Sequence, residues 1–120
     1  MIVGIGTDMI EIERVAKAAQ NPNFLRKVFA SEEEAEKRRP ESLAAHFAAK
    51  EAVAKALGVG LSGISLSEIM ILNEENGRPR VELSGKALAL ADSLDIGGWL
   101  ISLSHSKGEA VAFVIAIRRD

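Results

Sequence analysis

Three residues of this chain have the types and spacing for metal-assisted phosphate chemistry: Asp8, Glu51 and Lys55. Asp8 follows the glycine-spaced apolar run Gly4-Ile5-Gly6-Thr7. Glu51 and Lys55 stand four apart within His46-Phe47-Ala48-Ala49-Lys50-Glu51-Ala52-Val53-Ala54-Lys55-Ala56-Leu57, which puts them on one flank of a helix. Carboxylates bind Mg²⁺ together with substrate phosphates, so Asp8 and Glu51 form a candidate ligand pair and Lys55 a candidate phosphate contact. Plainer readings stand beside these. Asp8 could cap a following helix, and Glu51 with Lys55 could be an ordinary surface pair worth a few tenths of a kcal/mol.

Two more positively charged or titratable residues share that helix. His46 and Lys50, also four apart, fall on the other flank. His46 reads as a satisfied core histidine. Lys50 falls in the middle of an apolar stripe made by Leu43, Phe47, Ala54 and Leu57, and reads as snorkelling or ion-paired. Ala48, Ala52 and Ala56 make a small-residue face opposite. A helix apolar or small nearly all round is expected to be buried, with no ordinary wet side. Buried charges are costly unless paired or bound. Late in the chain, Ser102-Leu103-Ser104-His105-Ser106 places a histidine at a strand end. No Asp, His and Ser order with a nucleophile elbow accompanies it.

These residues need positioning elements, and the pattern supplies them. Ile2 to Thr7 reads as a buried strand ending near Asp8, followed by helical spacing from Ile10 to Ala19. Asn21-Pro22 breaks that helix, and Phe24, Leu25, Val28 and Phe29 make a further turn or two. Ser31-Glu32-Glu33-Glu34 has the form of a capping box. The charge run from Glu32 to Arg39 reads as a solvated helix, acidic first and basic last, ending before Pro40. The central helix runs from about Glu41 to Leu57, and Gly58, Gly60 and Gly63 mark a flexible connection. Glu68–Asn73 and Arg80–Leu83 are strands around the Asn76-Gly77 turn. Ser84 to Leu94 is a helix with Ser84 as its cap. Trp99–Ser104 and Ala110–Ile117 form a last hairpin. Antiparallel pairs with segregated helices give an α+β fold.

The bulk composition narrows the partners. At 120 residues the chain is expected to be one domain, 1–120. A net charge of −2 supplies no whole-protein attraction for nucleic acid or membrane surface. With no cysteine there is no disulfide and no thiolate metal site, which fits a cytoplasmic protein. Neither a signal-like leader nor an apolar run of about 18 residues is present in the sequence given.

Together these motifs resemble the holo-acyl-carrier-protein synthases, the small 4′-phosphopantetheinyl transferases. The resemblance rests on Gly4-Ile5-Gly6-Thr7-Asp8, on Phe47-Ala48-Ala49-Lys50-Glu51-Ala52-Val53-Ala54-Lys55-Ala56, on Asn76-Gly77-Arg78-Pro79 and on Ser102-Leu103-Ser104-His105-Ser106. It covers essentially the whole chain. It implies transfer of 4′-phosphopantetheine from coenzyme A to a serine of an apo-acyl carrier protein, in support of fatty acid biosynthesis. By resemblance, Asp8 and Glu51 hold Mg²⁺, Lys55 contacts a phosphate, and Glu51 is a candidate base. His46, Gly58, Ser104, His105 and Ser106 would line the coenzyme A nucleotide pocket. Arg14, Lys17 and Arg26 would dock the acidic carrier. The family is typically a homotrimer with active sites between subunits.

The chain departs from that pattern where His46 stands in a position usually held by arginine, and a neutral imidazole holds an anion less well. Two other classes of function are open on the residues alone. A Mg²⁺-dependent nuclease or phosphohydrolase would use Asp8, Glu11 and Glu51 without a carrier, although the absence of a basic patch counts against nucleic acid. A non-catalytic nucleotide-binding module would bind without turnover.

Overall fold

In the computed structural model, which describes residues 1–58 and 63–120, the centre of the molecule is one alanine-rich helix lying on a three-stranded sheet. The strands are β1 (Ile2–Glu11), β4 (Ile96–His105) and β5 (Glu109–Arg118), ordered β1-β5-β4 and antiparallel throughout. The helix α3 (Pro40–Leu57) crosses one face of this sheet. A separate hairpin, β2 (Ile69–Asn73) with β3 (Pro79–Leu83), flanks it. Short helices α1 (Ile12–Ala18) and α2 (Pro22–Val28) follow β1, and α4 (Gly85–Ser93) links the hairpin to β4. Mixed helices and antiparallel strands bear out the α+β expectation. Of the expected glycine connection, Gly60 lies outside the described residues.

The first turn of α3 carries Pro40, whose fixed φ suits a position where no intrahelical N–H bond is needed. Gly58 stops the helix in the left-handed conformation, φ 80°, its N–H bonded to the Lys55 carbonyl. Between these ends, Ala44, Ala48, Ala49, Ala52 and Val53 are fully enclosed. The strand glycines explain how close the layers come. A Cβ on Gly6 would fall on the Ala52 carbonyl oxygen, and one on Gly4 on that of Ala56. The glycine spacing therefore makes a groove for the helix backbone, a role in packing.

Four expectations need correction. β1 does not stop near Asp8; it continues to Glu11, because pairing with β5 extends to Glu11 opposite Glu109. Asp8 is thus inside a strand and is not the cap of α1, which starts at Ile12. The charge run after Ser31 is not a solvated helix but two 3-10 turns, Ser31–Glu33 and Ala35–Lys37, separated by Glu34 with φ 48°. The capping carboxylate there is Glu33, which accepts from the Ala30 N–H at 2.8 Å. Ser84 stands at the N-cap of α4 as expected, but its hydroxyl makes no capping bond; the Glu68 carboxylate supplies the acceptor, taking the Lys86 N–H at 2.9 Å.

The outer face of the sheet is apolar and open. Ile5 and Met9 of β1 are each 62% exposed, with Phe113 of β5 and Leu100 of β4 beside them. Register puts Ile5 opposite Ile115 and Ile115 opposite Leu100, so these side chains form one continuous surface.

Candidate functional site

Asp8 and Glu51 come together in one cavity. Strand alternation sends Asp8 to the same face as Gly4 and Gly6, toward α3. The cavity, of about 360 Å³, is lined by Asp8 and Glu51, by Arg14 from α1, and by Met9, Ile10, Val15, Ala18, Phe24 and Phe47. Lys55 extends from the next turn of α3. Its Nζ donates to the Asp8 Oδ1 at 3.1 Å and to the Thr7 carbonyl at 2.9 Å. α3 does have a wet flank, contrary to the sequence expectation: Lys55 is exposed and Glu51 half-buried. The i,i+4 surface pair is also not what forms, since Lys55 bonds across to β1.

The electrostatics of this cavity favour a bound cation. Burial raises the pKa of Glu51 first, and the nearby Asp8 charge raises it further, with Lys55 opposing. Two carboxylates crowded in this way, with one lysine, fit a divalent ion that takes one or two protein carboxylates and completes its shell with phosphate oxygens and water. Among the described residues no group of three or more His, Cys, Asp or Glu side chains gathers to hold a metal.

A second cavity, about 540 Å³, opens beside β4. Ser102, Leu103, Ser104 and His105 line it together with Glu41, Ser42, Ala45 and His46 of α3, and with Asn73, Gly77 and Pro79 of the β2–β3 hairpin. His46, Ser104 and His105 are thus brought together, while Ser106 and Gly58 do not line this space. His46 is almost wholly buried, and its Nδ1 lacks a hydrogen-bond partner. Burial pushes its pKa down to about 3, helped by the positive charges of Arg38 and Lys50, with the Ile71 backbone opposing. His46 is neutral at any ordinary pH. The nearby fixed charge is Arg38, whose guanidinium donates to the Ser42 Oγ at 3.3 Å and the Asn73 Oδ1 at 3.2 Å.

Phe47 and Glu51 lie on one side of α3, and Ser42, Ala45 and His46 on the other. Asp8 pairs with Ala112, which pairs with Leu103, so the two cavities sit about two strand spacings apart, roughly 10 Å. Of the basic residues expected to dock a partner, Arg14 borders the carboxylate cavity. Lys17 is exposed one turn further along α1. Arg26 lies in a different groove with Phe29 and Ser67, its guanidinium on the Asn23 side chain. Sequence reasoning missed the apolar walls, Phe24 and Val15 above all, and the Asn73 and Ser42 lining. Val15 and Phe24 read as apolar positions of helical runs, and nothing local marks any of the four as cavity lining.

The family model of the 4′-phosphopantetheinyl transferase superfamily matches residues 4–114. The chain belongs to that superfamily. A holo-[acyl-carrier-protein] synthase of Alkaliphilus oremlandii is 47% identical over 122 positions, covering 98% of this chain and all of the relative. Among solved structures, an acyl carrier protein synthase of Plasmodium yoelii with ADP bound aligns with TM-score 0.88 and 35% identity, over 100% of this chain and 98% of the other. The Helicobacter pylori holo-[acyl-carrier-protein] synthase in complex with coenzyme A aligns with TM-score 0.82 and 32% identity, over 94% of this chain and 99% of the other. Among the described residues no helix is long and apolar enough to cross a membrane.

Proposed function

We propose that this chain, as one transferase domain spanning 1–120, moves the 4′-phosphopantetheine group of coenzyme A onto a serine of an apo-acyl carrier protein, in support of fatty acid biosynthesis. The observation that carries this reading is the meeting of Asp8 and Glu51 in one cavity, with Lys55 bonded to Asp8, in a member of this superfamily. In the reaction the serine oxygen forms a bond to phosphorus and the pyrophosphate P–O bond breaks. Adenosine 3′,5′-bisphosphate leaves.

Asp8 and Glu51 are the residues that would hold Mg²⁺. When bound, it neutralises charge on the pyrophosphate and stabilises the leaving bisphosphate. The protein's own work is positioning and electrostatics, as expected of phosphoryl transfer. Glu51 is half-buried with a raised pKa, which suits it to take the serine proton. Lys55, exposed on a four-carbon stem, supplies a point charge that can turn from Asp8 to a phosphate. Arg14, at the cavity rim, together with Lys17 on the same helix, would meet an acidic carrier. Arg26, in another groove, is a more peripheral contact of the same kind.

The cavity of His46, Ser104 and His105 would take the nucleotide end of coenzyme A, with Gly58 and Ser106 contributing only if the substrate extends beyond its lining. In one chain this cavity and the carboxylates lie on different sides of α3. The open apolar sheet face supports assembly with further copies, and a homotrimer would let one subunit's carboxylates meet its neighbour's nucleotide cavity. A cytoplasmic location follows from these substrates.

The deciding experiment incubates candidate apo-acyl carrier proteins with this protein, coenzyme A and Mg²⁺, and reads the intact carrier mass. Addition of the pantetheine arm is expected. An unchanged mass across several carriers would sink the reading.

A further inference from the structure

Lys50 and Glu33 take no part in the chemistry above, yet they make the most completely satisfied polar contact in the described core. The Lys50 Nζ lies 2.6 Å from the Glu33 Oε2, with both side chains fully enclosed. Its other protons go to the Leu66 carbonyl at 3.1 Å and the Ile69 carbonyl at 2.5 Å. The ammonium also sits 4.9 Å from the Phe29 ring centroid. Glu33 completes the set, accepting from the Ala30 N–H at 2.8 Å and from the Ile71 N–H at 3.0 Å. One lysine on α3 is thereby tied to the turn at Ser31–Glu33, to the 3-10 turn at Leu66–Glu68 and to β2.

We propose that Glu33 and Lys50 are positioning residues for the transferase reaction, fixing the rotation of α3 about its axis so that Glu51 faces Asp8. This rests on the function proposed above. Lys50 precedes Glu51 directly, so a restraint on one is a restraint on the other about 100° around the helix. On its sheet side, α3 is held by close contact in the Gly4 and Gly6 groove. The alanines of that face carry no polar groups and so make no directional bonds to the sheet. The directional hydrogen bonds of the pair supply what the smooth face lacks.

Burial alone cannot do the same. Buried ion pairs can often be replaced by apolar residues of similar volume without loss of stability. Such a replacement would fill the space but remove the directional bonds to Glu33, Leu66 and Ile69. The structure therefore separates two roles, holding the fold together and aiming Glu51, and assigns the second to the charges.

The test is the double variant Glu33→Met with Lys50→Met, compared with the parent protein. Three quantities are read: the guanidinium denaturation midpoint, kcat and KM for carrier and coenzyme A, and the Mg²⁺ concentration for half-maximal rate. A midpoint near that of the parent is expected, with kcat reduced more than threefold, a raised Mg²⁺ requirement and little change in carrier KM. A folded double variant with kcat reduced threefold or less overturns the proposal. Should the double variant not fold, Glu33→Gln combined with Lys50→Met decides by the same threefold limit, since it leaves no buried charge and keeps an acceptor for the Ile71 N–H. Parent protein that modifies no carrier at all would instead overturn the function on which the proposal stands.

Discussion

The helix α3 carries two lysine–carboxylate pairs that differ in everything except composition. Lys55 meets Asp8 at 3.1 Å with the lysine side chain 55% exposed. Lys50 meets Glu33 at 2.6 Å with neither exposed. The first has water as an alternative partner and gives up little when it opens, as the proposed exchange of a carboxylate for a phosphate requires. The second has no alternative. Burial pushes the Lys50 pKa down to about 8, with Glu33 opposing, and the ammonium stays protonated at neutral pH only in that company. A fold can thus place a working charge and a fixed charge five residues apart by controlling access to solvent.

That contrast is open to attack, and the sharpest attack is on function. Glu51→Gln is expected to abolish turnover in the carrier-mass assay. Its denaturation midpoint at pH 7 should equal or slightly exceed that of the parent. The sign follows from the raised Glu51 pKa, since stability is fully present while Glu51 is protonated and is lost as pH rises through the folded value. Loss of stability together with activity would show Glu51 to be structural.

Next in size is Lys50→Met alone. It leaves the Glu33 charge enclosed without its partner and should cost about 3–5 kcal/mol in chemical denaturation. A cost below about 1 kcal/mol, the range of exposed pairs, would erase the distinction between the two lysines. His46 tests the same buried side of α3 through pH. Its depressed pKa contributes stability that is present above about 6.5 and lost as pH falls toward about 3. Over that window the slope it adds is at most about 1.4 kcal/mol per pH unit. His46→Gln should flatten the fall of stability with acid by up to that amount.

The smallest effect belongs to the exposed pair. Lys55→Met should change stability by about 0–1 kcal/mol while lowering the transfer rate. Asp8→Asn should lower the midpoint at which the Glu51 carboxyl resonance titrates, because one of the two causes raising it is gone. An unmoved midpoint would mean that the two carboxylates do not share a site.

The sequence made the exposed pair legible and hid the other. Asp8, Glu51 and Lys55 stood out because carboxylates and a lysine recur at spacings that a helix and a strand convert into neighbours. Glu33 stood in an acidic run from Glu32 to Glu36, where nothing local separates the one enclosed carboxylate from the solvated ones. Its partner is 17 positions away, and the pairing depends on tertiary packing. Lys50 itself was readable as ion-paired from its apolar stripe. The boundaries of α3 and the hairpin at Gly77 were within reach because proline and glycine mark them. The extension of β1 beyond Asp8 was not, because its partner strand lies about a hundred residues later in the chain.

The open sheet face carries a last consequence. In the proposed assembly, Ile5, Met9, Leu100 and Phe113 leave water only when copies meet. Catalytic competence then obeys mass action and ceases to be a fixed property of the folded chain. On serial dilution, specific activity should fall before the far-ultraviolet circular dichroism does.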